Sequence, residues 1–140
     1  MRPFLLLTVL AMSCAKTPAP ADTTSTAPVT AQALAAREWR LVELEGRTDP
    51  RGAEGREVTL RFEEGTRVSG FSGCNRYSGS YTVRGDSITF GPAGVTRMAC
   101  SQGMDTEQTY LSILPRVARF AIADSTLTLF STDKPLARFR

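Results

Sequence analysis

From residue 37 to residue 140 the patterning is mostly an alternation of apolar and polar residues with a period of two, and this constrains the fold more than any other feature. In "EWRLVEL" Trp39 and Leu41 share one side, and in "VTLRF" Val58, Leu60 and Phe62 do the same. "YTV" and "ITF" contribute Tyr81, Val83, Ile88 and Phe90, and "TLTLF" contributes Leu127 and Leu129. Successive side chains of a strand point to opposite faces, so the pattern belongs to antiparallel strands with one buried and one wet face. The punctuation agrees. Gly85 and Asp86 stand between "YTVR" and "SITF", where glycine at the first central position suits a type II′ hairpin because positive φ costs it nothing. "EEGT" and "ADST" separate other strand pairs. The longer "EGRTDPRGAEGRE" reads as a surface loop, with Pro50 opposing regular pairing.

One segment keeps a different rhythm. In "MDTEQTYLSILPRVARF", Tyr110, Leu111, Leu114, Val117 and Ala118 follow helical spacing. Asp105 offers an N-cap, with Gln108 as its reciprocal partner. Pro115 removes an amide donor and crowds the carbonyl of Leu111, at a cost of about 3 kcal/mol inside a helix. The helix is therefore expected to kink or end near Leu114, with a further turn reaching Arg119. The expected fold is an α+β domain, one helix packed on or across a curved antiparallel sheet.

The first residues, "MRPFLLLTVLAMSC", read as an export signal: Arg2 supplies the positive charge and residues 4–12 a short apolar run. That run falls well short of the roughly 20 apolar residues a membrane-spanning helix needs. "AMSC" resembles a bacterial lipoprotein signal, which makes Cys14 a candidate for acylation. Ala11 and Met12 depart from the usual residues, and cleavage after Ala15 is the alternative. Residues 15–36, rich in Ala, Thr and Pro, offer too little apolar surface to offset ordering entropy and read as a flexible tether, with a helical turn allowed at "AQALAA". The expected organisation is a signal at 1–14, a tether at 15–36 and one folded domain at 37–140.

Charge excludes one class of partner. The chain carries 17 basic and 14 acidic residues, with no basic stripe and no aromatics interleaved with one, so nucleic acid is not the expected partner.

The motifs then resemble a known family. "GCNRYSGSY", "TRMAC", a helix bearing "YLSIL", then "LTL" and "LARFR" are similar to the META domain (HslJ-like) family, and "WRLVELEG" matches its first strand. The resemblance covers residues 37–140. It implies a curved antiparallel sheet partly wrapped round one helix, a bacterial envelope location, and an association with heat or antibiotic stress. It implies no enzymatic activity. Its motif falls on Gly73, Cys74, Asn75, Gly79, Tyr81, Thr96, Met98 and Cys100. These positions read mainly as scaffold: glycines for crowded backbone, Asn75 for left-handed geometry, Tyr81 and Met98 for core.

The thiols narrow the chemistry. The chain has three cysteines and no histidine. Zinc normally takes four nitrogen or sulfur ligands, a nucleophilic thiolate is normally served by a basic partner, and a thioredoxin-like centre needs C-x-x-C. None of these patterns is present, and neither a Ser-His-Asp triad nor a phosphate loop can be assembled. Glu43, Glu45, Glu63 and Glu64 read as solvated charges. No catalytic residue, metal or cofactor is expected. In an oxidising compartment Cys74 and Cys100 are expected to form a disulfide joining the loop after the third strand to the segment leading into the helix.

These readings point to a non-enzymatic envelope lipoprotein, monomeric, anchored by Cys14 on the periplasmic side of a membrane, the outer one favoured by Ala15. Its expected role is binding or assembly, with an envelope protein or lipid as partner. The alternatives are a small-molecule or acyl-chain binder, or an inhibitor of a foreign hydrolase acting through the long loop. Reduction should add two hydrogens to the intact mass of the exported chain and lower its unfolding free energy by about 3.5 kcal/mol, the loop-closure value for such a separation. Two free thiols in native protein would contradict the pairing.

Overall fold

Tight turns set the strand pairing. The computed structural model describes residues 26–140, with side chains from residue 30. Gly85 has φ 62° while Asp86 keeps negative φ, the II′ pattern the sequence predicts. It joins β5 (Arg76–Arg84) to β6 (Ser87–Phe90). Asp124 (φ 50°) and Ser125 (φ 62°) join β8 (Arg119–Ala123) to β9 (Thr126–Phe130) in the doubly left-handed manner of a type I′ hairpin.

The remaining strands are β1 (Glu38–Leu44), β2 (Arg47–Thr48), β3 (Thr59–Glu63), β4 (Arg67–Phe71), β7 (Gly94–Val95) and β10 (Pro135–Phe139). β1 has a neighbour on each edge, and a bulge between Leu41 and Glu43 interrupts its ladder with β10. Its first residues pair with β3, as Trp39↔Leu60, and its later ones with β10, as Leu41↔Phe139 and Leu44↔Ala137. The order β1–β3–β4–β5–β6–β8–β9–β10 thus returns to its start. Eight antiparallel strands form a closed barrel, while β2 pairs with β1 and β7 with β5 outside the ring. The joint between β6 and β8 is brief: Ser87↔Arg119 in register, flanked by Ile88 N–H donating to Ala118 O (3.1 Å) and Phe120 N–H to Asp86 O (2.9 Å).

This closure corrects the expected α+β fold, a curved antiparallel sheet partly wrapped round one helix. Alternation shows that each strand has one buried face. It does not show that the first and last strands meet, and that pairing joins residues at opposite ends of the domain. Closure also removes the exposed edges an open sheet would present.

The helices lie at the two mouths. α2 (Met104–Ile113) buries Tyr110 and Ile113 completely. The Tyr110 ring packs edge-on against Tyr77 of β5 at 5.5 Å and Phe139 of β10 at 6.4 Å. Those strands are fourth and eighth in the ring, so a side chain touching both sits on the barrel axis. α1 (Thr26–Ala35) lies at the other end of β5, where Thr30 and Ala33 share a cleft with Gly85, Asp86 and Ile122. Its Leu34 is fully buried, and the Leu34 carbonyl accepts the indole N–H of Trp39 at 2.8 Å. The end of the stretch read as a tether is therefore helical and contributes to the core. The core between the helices includes Trp39, Leu60, Phe62, Ile88, Leu127, Leu129 and Phe139.

Two local expectations change. Pro115 does end α2, which gives way to a 3-10 turn at Leu114–Arg116. Asp105 is not the N-cap. That place belongs to Gly103, whose φ of 88° and closeness to the backbone of Gly73 and Ala53 leave no room for a side chain. The "EGRTDPRGAEGRE" loop is also more regular than expected, holding β2 and an Arg51↔Glu57 bridge. If Tyr110 braces opposite strands, Tyr110→Ala should cost about 3–5 kcal/mol in urea unfolding. A loss below about 1 kcal/mol, the ordinary surface-to-average range, would place the ring outside the load path.

Candidate functional site

The densest polar cluster lies where the β4–β5 connection meets α2. Residues 72–75, "SGCN", turn sharply enough for Ser72 N–H to reach Asn75 O at 2.8 Å. Gly73 makes this possible. Its φ is 140°, and a Cβ there would lie 2.7 Å from Gly103 O and 2.8 Å from Glu107 N. The turn aims its donors inward at a single carboxylate, Glu107, which is 6% exposed. Glu107 Oε2 accepts the Cys74 N–H (2.9 Å), the Asn75 N–H (2.6 Å) and the Ser72 hydroxyl (2.8 Å). Glu107 Oε1 accepts Asn75 Nδ2 at 2.8 Å. Burial pushes the Glu107 carboxyl up, but the hydrogen bonds from Asn75, Ser72 and Cys74 together outweigh it and hold it below its ordinary value.

Asn75 extends the cluster. Its Oδ1 accepts the Met98 N–H (2.7 Å) and the Thr96 hydroxyl (3.1 Å), and its Nδ2 also donates to Met98 O (3.2 Å). The disulfide joins Cys74 to Cys100 with Cα atoms 5.9 Å apart, as the sequence predicts. The motif residues Gly73, Cys74, Asn75, Thr96, Met98 and Cys100 thus come together around Glu107. Gly79 and Tyr81 do not. Gly79 lies under Pro92, whose carbonyl would be 3.2 Å from an added Cβ, and Tyr81 packs its ring against Phe62 at 4.9 Å. Met98 was expected in the core, yet its side chain is 60% exposed. Its contribution to the cluster is its backbone.

Glu107 is the member that sequence reasoning missed. It stands three, four and seven residues before Tyr110, Leu111 and Leu114, on the apolar stripe of α2. A lone carboxylate on such a stripe was the available signal, because burying it requires donors from elsewhere. Beside the cluster, Tyr77 and Tyr110 join hydroxyls at 2.7 Å, and the Tyr77 hydroxyl donates to Thr59 O at 2.9 Å. Burial pushes both phenols up, so neither ionises near neutral pH. Every buried side-chain polar atom among the described residues has a partner. The arrangement holds the β4–β5 connection, the segment before α2 and α2 itself together.

A model of the META domain matches residues 32–140, from within α1 to the C-terminus. The chain belongs to the META domain family. A solved structure described as an NMR structure of a protein from Burkholderia xenovorans is similar, at 29% identity and TM-score 0.64, over 95% of this chain and 97% of that one. A second NMR structure, 23% identical with TM-score 0.61 over 78% of this chain and 92% of that one, shares the fold. A comparison with curated proteins finds no match.

In this META domain the Glu107 carboxylate should govern acid stability. Its pKa is depressed by folding, so its contribution is complete above the unfolded-state value and declines as pH falls through the folded one. Glu107→Gln sets an amide donor against Asn75 Nδ2 or removes an acceptor from the turn, and should cost about 1–3 kcal/mol near neutral pH. The gap between wild type and variant, read by urea unfolding, should narrow as pH drops below about 4, the ordinary carboxylate range. A gap constant from pH 7 to pH 2 would exclude the carboxylate as its source.

Proposed function

We propose that the protein is a non-enzymatic envelope module, exported and lipid-anchored through Cys14, that acts by binding or assembly with an envelope protein or lipid. The observation that carries this reading is the closed polar cluster: Glu107, the buried carboxylate, spends its acceptors on the protein's own Ser72, Cys74 and Asn75. A general acid or base needs a free path to a reactant, and this carboxylate has none. The Cys74–Cys100 bond supports folding in an oxidising compartment. The barrel axis is occupied by Tyr110, which favours action through the outer surface over enclosure of an acyl chain. A role in heat or antibiotic stress enters with the family resemblance and forms part of the proposal.

Cys14 and the signal lie outside the described residues, so their test is biochemical. Metabolic palmitate labelling should mark wild-type protein and vanish in Cys14→Ala, and crosslinking in the membrane fraction should capture a reproducible partner with wild type alone. Unlabelled wild-type protein in the soluble fraction would overturn the anchored reading.

A further inference from the structure

The outer face of the barrel carries a groove that the polar cluster does not use. Register across β1, β3 and β4, with β5 beside them, places Glu38, Arg61, Ser69 and Ser78 in one outward row. Arg40, Thr59 and then, past the end of the β3–β4 ladder, Phe71 and Arg76 form the next. Small side chains thus sit in the middle, with long charged ones around them. The result is a cleft of about 460 Å³ lined by residues that include Glu38, Thr59, Arg61, Glu63, Ser69 and Arg76. A second hollow of about 310 Å³ shares Glu38, Thr59 and Arg76 with it and adds Arg56 and the Arg40–Glu57 pair.

The charges along this groove are unevenly committed. Arg40 and Glu57 pair at 3.2 Å, and Glu63 accepts the Ser69 hydroxyl. Among the described residues Arg56, Arg61 and Arg76 are joined to no carboxylate; the Arg56 guanidinium lies over the Phe71 ring at 3.8 Å. Arg61 and Arg76 stand two strands and two residues apart, roughly 10 Å across and about 7 Å along the sheet. Flexible side chains at that spacing can close on one oxyanion, and guanidinium forks suit carboxylate and phosphate oxygens. A bare polyanion would also meet Glu38, an exposed carboxylate with no ion pair among the described residues. An amine held near the anion would answer it.

From this juxtaposition we propose that the groove binds a small zwitterion, an oxyanion gripped by Arg61 and Arg76 with an adjoining amine facing Glu38. The inference deepens the binding-module reading and rests on it. An amino-phosphate headgroup of a lipid and a free amino-phosphate offer the same chemistry.

The test is NMR titration of the oxidised, isotope-labelled chain with O-phosphoethanolamine, inorganic phosphate and ethanolamine. Phosphoethanolamine should shift the resonances of Arg61, Ser69 and Arg76 and bind about tenfold more tightly than either half alone, the scale of one charge-assisted hydrogen bond. Arg61→Gln and Arg76→Gln should each weaken it by about tenfold by the same reasoning, and Glu38→Gln should bring it to the level of phosphate. Arg84→Gln, exposed at the far end of β5, should leave it unchanged. Shifts absent from the groove, or phosphate binding as tightly as phosphoethanolamine, would overturn the proposal. Cosedimentation with phosphatidylethanolamine vesicles that depends on Arg61 and Arg76 would assign a lipid headgroup, and phosphoethanolamine binding without it a soluble ligand. Palmitate labelling and crosslinking do not involve these arginines, so the groove and the anchored reading fail separately.

Discussion

Four hydrogen bonds to one buried carboxylate determine how the parts of this domain meet. A charge removed from water costs several kcal/mol unless donors replace its hydration, and Glu107 finds them in the Ser72–Asn75 turn. Because Glu107 belongs to the first half of α2 and the turn belongs to the barrel, satisfying the carboxylate fixes the helix over one mouth. Tyr110, one helical turn further on, is then delivered to the axis between Tyr77 and Phe139. The same contact brings the segment before α2 beside the turn, where the disulfide and Asn75 secure it. The interlocked glycines serve this approach, since a side chain at Gly73 or Gly103 would hold the backbones apart.

Much of this was legible in local pattern. The alternation of "VTLRF", "ITF" and "TLTLF" located strands, Gly85–Asp86 specified its turn type, Pro115 marked the end of α2, and Cys74 and Cys100 paired. What escaped were relations that no local window contains. Barrel closure depends on β10 meeting β1, and a curved open sheet would show the same alternation. Gly103 displaced Asp105 as the cap because a neighbouring segment crowds it. Glu107 resembled any first-turn carboxylate until its donors, more than thirty residues earlier in the chain, were folded against it. Leu34 lay in a stretch whose composition suggested a tether, and one apolar side chain sufficed to bring its end into the core.

The polar groups of the domain fall into two populations. Those around Glu107 are buried, mutually satisfied and devoted to joining elements. Those on the outer face of β1, β3, β4 and β5 are more exposed, and among the described residues the Arg61 and Arg76 guanidinium groups there are joined to no carboxylate. The filled interior leaves the outer surface of the barrel as the place where exposed polar groups gather, and a change there need not disturb the core.

The joint between β6 and β8 has a further consequence. A ring of strands opens where the fewest linkages must break, and Ser87↔Arg119 with its two flanking bonds is a short fastening beside the five-residue ladder of β8 with β9. Breathing of the barrel is thus directed to one line along its wall. The β8–β9 hairpin meets β6 through that short joint alone, while the disulfide and the Glu107 clamp fasten the β4–β5 connection one strand further round the ring.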